Sequence, residues 1–200
     1  MGFSHLKGVS KIQLKGNVGK SFILLLGYMV IVAILQTLVL MPQSESGYLL
    51  VSLLVSLCTN VLGFGINVYF LKMARGENFS FQSLIYGFNS VERFFKIIII
   101  TILMGLAITF GFMLFIIPGI IITFSLSQAV YILIDNKDMS PVQCLQESAR
   151  IMKGNKMDFF MLHVSFIGWA ILYVITFGLA GIYVVPYYNL CCINFYEEIK

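Results

Sequence analysis

Six stretches of the chain are apolar over long runs, at roughly 21–41, 48–72, 94–117, 119–134, 159–178 and 181–196. A helix rises ~1.5 Å per residue, so about 20 residues cross the hydrocarbon layer of a bilayer. The first, second, third and fifth stretches meet that length. The fourth is short and extends back through Ile116, and the sixth holds Pro186, which predicts a kink. Helix is favoured over strand because an unpaired backbone group in lipid costs several kcal/mol, which only helices and closed barrels avoid. The pattern predicts an all-α membrane protein whose six transmembrane helices form three helical hairpins.

The polar segments between these stretches carry a second pattern. In SPVQCLQESARIMKGN, Ser140 is a natural N-cap, Pro141 fits the first turn, and Gln143 completes a capping box. Val142, Leu145, Ala149 and Met152 make an apolar stripe, Gln143, Gln146, Glu147, Arg150 and Lys153 cover much of the rest, and Gly154 is placed to end the helix. This predicts an amphipathic helix lying at the membrane interface. The segments 3–20 and 79–96 are similar, each with apolar positions, a Gly and an Asn just before an apolar run. Lys-Gly-Asn occurs at 15–17 and again at 153–155. The chain therefore divides into a basic amphipathic arm (1–20), a first hairpin (21–72), a connection (73–93), a second hairpin (94–134), an amphipathic helix (135–158), and a third hairpin with its tail (159–200).

Composition agrees. The chain is 59% hydrophobic and 11% charged, against about 45–50% and 25% in soluble domains, so there is too little polar surface to coat a core in water. With six spans, all thirteen Lys and Arg residues fall on or near one side, and the opposite connections, PQSESG, IIPG and FGLAG, carry only Glu45. This positive-inside asymmetry places both termini in the cytoplasm. The first apolar run is a full span without a small-residue cleavage site and reads as a retained helix. The net charge of +4 is not gathered on one face, so nucleic acid is not indicated. Cys58, Cys144, Cys191 and Cys192 lack the paired spacing of a zinc site and read as apolar filler with free thiols.

Candidate chemistry is sparse. GNVGKS at 16–21 resembles the end of a phosphate-binding loop, but the first Gly of that motif falls on Leu14 and a span follows, so no nucleotide is expected. Gly16 and Gly19 instead permit a bend, and Lys15 and Lys20 can reach lipid phosphates. His163 lies early in the fifth run with no metal-ligating partner nearby on its helix, so neither metal nor cofactor is expected. No charged residue lies mid-span and no G-x-S-x-G nucleophile motif occurs, which argues against an enzyme. Polar uncharged residues do occur in the spans. They suit interhelical hydrogen bonds, or a polar path lined by Asn60, Asn67, Gln128 and Tyr131.

The stretch 131–169 resembles an uncharacterised bacterial family of integral membrane proteins, domain of unknown function 975. The likeness is carried by Ile-Pro-Gly-Ile at 117–120, Glu147 to Gly154 as E-S-x-x-x-M-K-G, Ser-Phe-Ile-Gly-Trp at 165–169, Pro186 with Tyr187, and Leu-Lys-Gly-Asn at 14–17. Residues 42–80 match poorly. The resemblance implies a multi-pass protein of a bacterial plasma membrane and brings no substrate or catalytic residue. The leading expectation is a non-enzymatic protein that binds anionic lipid headgroups or a partner, a protein or a second copy of itself, through Lys15, Asn17, Arg150, Lys153, Asn155 and Lys156. The alternatives are a small-solute transporter or channel, and an intramembrane enzyme around His163.

Overall fold

The computed structural model describes residues 3–41 and 44–200, so Met1 and Gly2 of the arm, and Pro42 and Gln43 of the PQSESG turn, lie outside the described residues. The described chain is helical: α1 Phe3–Leu14, α2 Val18–Val39, α3 Glu45–Ala74, a 3-10 helix Phe81–Asn89, α4 Val91–Leu114, α5 Ile116–Leu126, α6 Ala129–Asp135, α7 Pro141–Ile151, α8 Lys156–Val164, α9 Ile167–Ile175 and α10 Gly181–Ile199. Five helical segments are long and apolar enough to cross a membrane: α2, α3, α4, α5 with α6 (Ile116–Asp135), and α8 with α9 (Lys156–Ile175). The sixth expected span corresponds to α10, which is not one of these five.

The helices form two layers. The inner layer is α10, the second half of α3, and α6. Phe64, Tyr69, Phe70, Ile132, Leu190, Ile193 and Phe195 are buried there, and the Tyr131 and Tyr196 rings lie 5.3 Å apart. The outer helices α2, α4 and α9 leave Met29, Ile34, Ile102, Leu106, Phe110 and Val174 exposed. Burying one such side chain is worth about 1.5–3 kcal/mol in water, so an apolar perimeter of this extent fits a hydrocarbon solvent rather than an aqueous one.

Local chemistry explains the breaks. Phe115 is extended (φ −164°, ψ 161°) and makes the turn between α4 and α5, so IIPG opens α5 rather than forming the turn expected from the sequence. Pro118 is tolerated there because first-turn N–H groups need no helical acceptor. Gly111 makes that hairpin close, since a Cβ on it would stand 3.1 Å from the Gly119 Cα. Ser127 Oγ donates to the Phe124 carbonyl (2.8 Å) where α5 gives way to α6, the back-bonding that bends helices. At the α9–α10 turn, Phe177 (φ 50°) and Gly178 (φ 87°) are left-handed.

The amphipathic segments dock on the bundle. The capping box at Ser140 and Gln143 forms as expected. The buried stripe of α7 is Pro141, Cys144, Ser148 and Ile151, one residue out of phase with the expected Val142–Leu145–Ala149–Met152 face, of which Met152 at the C-cap is fully buried while Val142 and Ala149 are exposed. Its buried side faces α4, α5 and α6 rather than a membrane surface. The phase differs because Ser148 is satisfied on burial: its Oγ donates to the Ser125 carbonyl (2.8 Å) and accepts from the Gln128 N–H (3.2 Å). The 3-10 helix lies so close on α3 that a Cβ on Gly65 would meet the Ser83 and Leu84 carbonyl oxygens at 2.5 Å.

Gly65→Ala should therefore lower the thermal unfolding midpoint in detergent by several degrees. Gly105→Ala, where a Cβ meets open space, should leave it unchanged or slightly raised. Equal midpoints for the two variants would contradict the packing of the 3-10 helix on α3.

Candidate functional site

The polar interactions gather at the basic end of the bundle. Leu6, Ser10 and Leu14 form the buried face of α1, which lies against α10. Asn194 of α10 donates to Ser10 Oγ (2.8 Å) and to Gln13 Oε1 (2.7 Å), and Gln13 Nε2 donates to the Ala74 carbonyl at the end of α3 (2.8 Å). One amide pair thus ties α1, α10 and α3 together. Lys7 Nζ donates to the Ser165 carbonyl (3.3 Å) and lies 5.0 Å from the Phe166 ring centre.

The arm and α7 repeat one design. Leu6, Ser10, Leu14, Gly16 and Asn17 stand at the same relative spacing as Cys144, Ser148, Met152, Gly154 and Asn155. Both serines are buried and bridge to another helix, and Leu14 and Met152 are both fully buried. Gly16 (φ 83°) and Gly154 (φ 91°) are left-handed, a conformation glycine adopts without a Cβ clash, and each ends its helix. Asn17 Nδ2 then donates to the Gln13 carbonyl (3.3 Å) and Asn155 Nδ2 to the Ile151 carbonyl (2.8 Å). Both asparagines fasten a helix-to-span joint. The lysines beside them, Lys15 and Lys153, are exposed, and Lys156 is half-buried. Arg150 is exposed and pairs with Glu147 (Nε to Oε2, 2.7 Å), which holds that carboxyl below the usual carboxylate range. Burial pushes the Cys144 thiol up, as suits an inert packing residue.

A charge cluster unmarked by any motif lies at the same end. Arg75 follows α3 directly, Asp135 ends α6, and Glu197 lies in the last turn of α10. Arg75 donates to both Asp135 oxygens (2.7 Å each) and to Glu197 Oε1 (2.9 and 2.6 Å). Tyr196 donates to Asp135 Oδ2 (2.9 Å), and Lys200 Nζ reaches Glu197 Oε2 (2.6 Å). The Asp135 and Glu197 carboxylates raise the Arg75 guanidinium pKa, keeping it charged. These partners are 60 and 122 residues apart in the chain. The only local signal was a charge within three residues of the end of the second, fourth and sixth apolar runs.

The polar residues of the spans separate into two groups. Asn60 and Asn67 line one cavity of about 440 Å³ with Tyr28 and Thr101. Gln128 is fully buried beside Ser127, to which it donates (2.8 Å), and Tyr131 packs on Tyr196; neither lines that cavity. His163 Nδ1 donates to the Phe159 carbonyl (2.7 Å), so its Nε2 accepts from the Tyr188 hydroxyl (2.7 Å). That arrangement engages both ring nitrogens. Among the described residues there is no cluster of His, Cys, Asp or Glu able to hold a metal.

A family model described as "Protein of unknown function (DUF975)" matches residues 1–119 and 108–200, which together run the length of the chain and include 42–80. The chain belongs to the DUF975 family. No curated protein and no solved structure matches it. As a DUF975 member it carries a family description that states no activity, so the functional reading must rest on its own geometry.

Asn194→Leu would leave the half-buried Gln13 Oε1 without its donor and take from the buried Ser10 Oγ the bond it accepts. It should cost about 1–3 kcal/mol in reversible unfolding in mixed micelles. Asn60→Leu removes an amide bonded only to its own helix and should change stability by less than about 0.5 kcal/mol. The opposite ranking would contradict the seating of α1 on α10.

Proposed function

We propose that this chain is a non-enzymatic, six-span protein of the bacterial plasma membrane, with both termini cytoplasmic, whose basic end binds anionic lipid headgroups. In this reading α10 is the sixth span, enclosed by the others. A helix shielded from lipid by protein can carry the Asn, Tyr and terminal Glu residues that lower its hydropathy. The observation that carries the binding reading is the state of the lysines. After α1 and α7 have docked, Lys11, Lys15, Lys20 and Lys153 are exposed, and none of them is in an ion pair with another described residue. Of the carboxylates at the same end, Asp135 and Glu197 pair with Arg75, Glu92 with Lys96 and Glu147 with Arg150, while Glu77, Asp138 and Asp158 are in no ion pair with another described residue and are outnumbered by the unpaired lysines. What the basic end offers to its surroundings is therefore net positive.

Anionic phosphates suit such lysines. Each basic residue near a charged membrane surface contributes about 1 kcal/mol, and the attraction falls off within a Debye length. The joints at Gly16 and Gly154 set Lys15 and Lys153 within a few residues of the start of an apolar helix, and in this reading they meet the headgroups there. Asn17 and Asn155 act here as positioning residues, since their amides hold backbone carbonyls. A protein partner or second copy on this end is the competing occupant. A through-path for small solutes has less support, because Gln128 and Tyr131 lie away from the cavity of Asn60 and Asn67. Chemistry at His163 has less still, because both ring nitrogens are engaged.

The test reconstitutes the chain with Lys15, Lys153 and Lys156 changed to Gln and measures its enrichment of phosphatidylglycerol over phosphatidylcholine in the bound lipid shell. Wild type should enrich the anionic lipid in a salt-sensitive manner, and the triple variant should lose most of that preference. Equal enrichment by both proteins would refute headgroup binding at this end.

A further inference from the structure

Two adjoining cavities at the middle of the bundle have complementary chemistry. The first, about 440 Å³, is floored by Asn60 and Asn67 of α3 and walled by Tyr28 of α2 and Thr101 of α4. Tyr28, Asn60 and Thr101 stand near the middle of their helices, far from either end of the bundle. Asn60 and Thr101 are exposed, so this cavity opens on the lipid-facing perimeter. The second, about 490 Å³, is mostly apolar, with Phe22, Leu25, Met29 and Ile182 in its lining. The two share Tyr28, Gly63 and Asn67. Gly63 offers only a hydrogen where a longer side chain would fill the passage beside the Tyr28 hydroxyl.

The first cavity holds hydrogen-bonding capacity that the fold does not use. Asn60 donates one N–H to the Ser56 carbonyl and Asn67 one to the Gly63 carbonyl. Their second N–H groups, both amide oxygens and the Tyr28 hydroxyl have no hydrogen-bond partner among the described residues. Thr101 donates to its own helix and keeps its lone pairs. Such groups facing hydrocarbon are costly unless something pairs with them. No charged side chain lines either cavity, so nothing there would offset a phosphate or an ammonium. What fits is a group that donates and accepts at once without charge, attached to an apolar tail.

We propose that this paired cavity binds a neutral lipid alcohol of the diacylglycerol type. Its hydroxyl donates to the Asn67 or Asn60 amide oxygen and accepts from the free N–H, and an acyl chain lies in the apolar cavity past Gly63. This site is independent of the lysines at the basic end, and either reading can fail without the other.

The chain would be reconstituted in phosphatidylcholine vesicles containing, in minor amount, either a diacylglycerol or a phosphatidylcholine with a photoactivatable diazirine on one acyl chain. The diacylglycerol probe should label wild type about threefold more than the phosphatidylcholine probe, the preference one membrane hydrogen bond supplies. Its label should map to peptides of α2 and α3. Unlabelled diacylglycerol should compete, and free glycerol should not. Asn60→Leu with Asn67→Leu should bring labelling down to the phosphatidylcholine level, and Tyr28→Phe, which leaves both amides in place, should retain a preference for the diacylglycerol probe, while the proteins elute at the wild-type position. Equal labelling by the two probes, labelling indifferent to all these changes, or competition by free glycerol would overturn the proposal. The last result would assign the cavity to small water-soluble polyols.

Discussion

Arg75 is held in common by the ends of three helices. The C-terminal ends of α3, α6 and α10 converge on it, and each helix end presents unpaired carbonyls equivalent to about half a negative charge. Asp135 and Glu197 add two full negative charges at the same place. Without a cation between them these groups would repel one another. A single planar guanidinium serves both carboxylates, bidentate to Asp135 and twice to Glu197, and Lys200 adds a second positive charge at the margin. The cluster is only partly shielded, with the Arg75 side chain 26% exposed, so its worth lies well below that of a fully buried network. It nonetheless fixes which ends meet, and the layering of the bundle follows from that meeting.

With the inner ends fixed, the burden of lipid contact falls on α2, α4 and α8–α9, whose surfaces are accordingly apolar. The inner helices are released from that requirement. α10 uses the freedom for Asn194, which holds α1, and for Tyr196, which supports Asp135. The bilayer does not drive helices together hydrophobically, so close backbone approach and buried polar pairs carry the association. Gly65 under the 3-10 helix, Gly111 against Gly119, and the Ser148 and Asn194 contacts are those devices here.

Much of this was legible before any coordinates. Long apolar runs report the solvent of a helix, so α2, α3, α4 and α8–α9 were evident. The Lys-Gly-Asn joints were evident because a left-handed glycine ends a helix by local geometry alone. The sixth run was the weakest in the sequence for the same reason that α10 is enclosed: hydropathy measures exposure to lipid, which α10 largely lacks. The buried face of α7 runs through Cys144 and Ser148 rather than Val142 and Ala149, with Met152 buried as expected, because Ser148 enters the core once the distant Ser125 carbonyl accepts from it. The Arg75 cluster escaped notice because nothing along the chain links Arg75 to Asp135 and Glu197. Asn60 and Asn67, seven residues apart on one helix, line a common cavity, whereas the Gln128 amide bonds its chain neighbour Ser127 and Tyr131 packs on Tyr196, contacts that spacing along the chain does not reveal.

The central claim, that one arginine organises the inner layer, is tested most directly by exchanging the charges of Arg75 and Asp135 in a double-mutant cycle of unfolding free energies. Arg75→Asp and Asp135→Arg should each cost about 1–3 kcal/mol, the figure for a buried pair reduced for partial exposure. The double exchange should recover at least about half of the summed loss. Strictly additive losses would mean that the two side chains do not act on each other, and the inner layer would have to be held by something else.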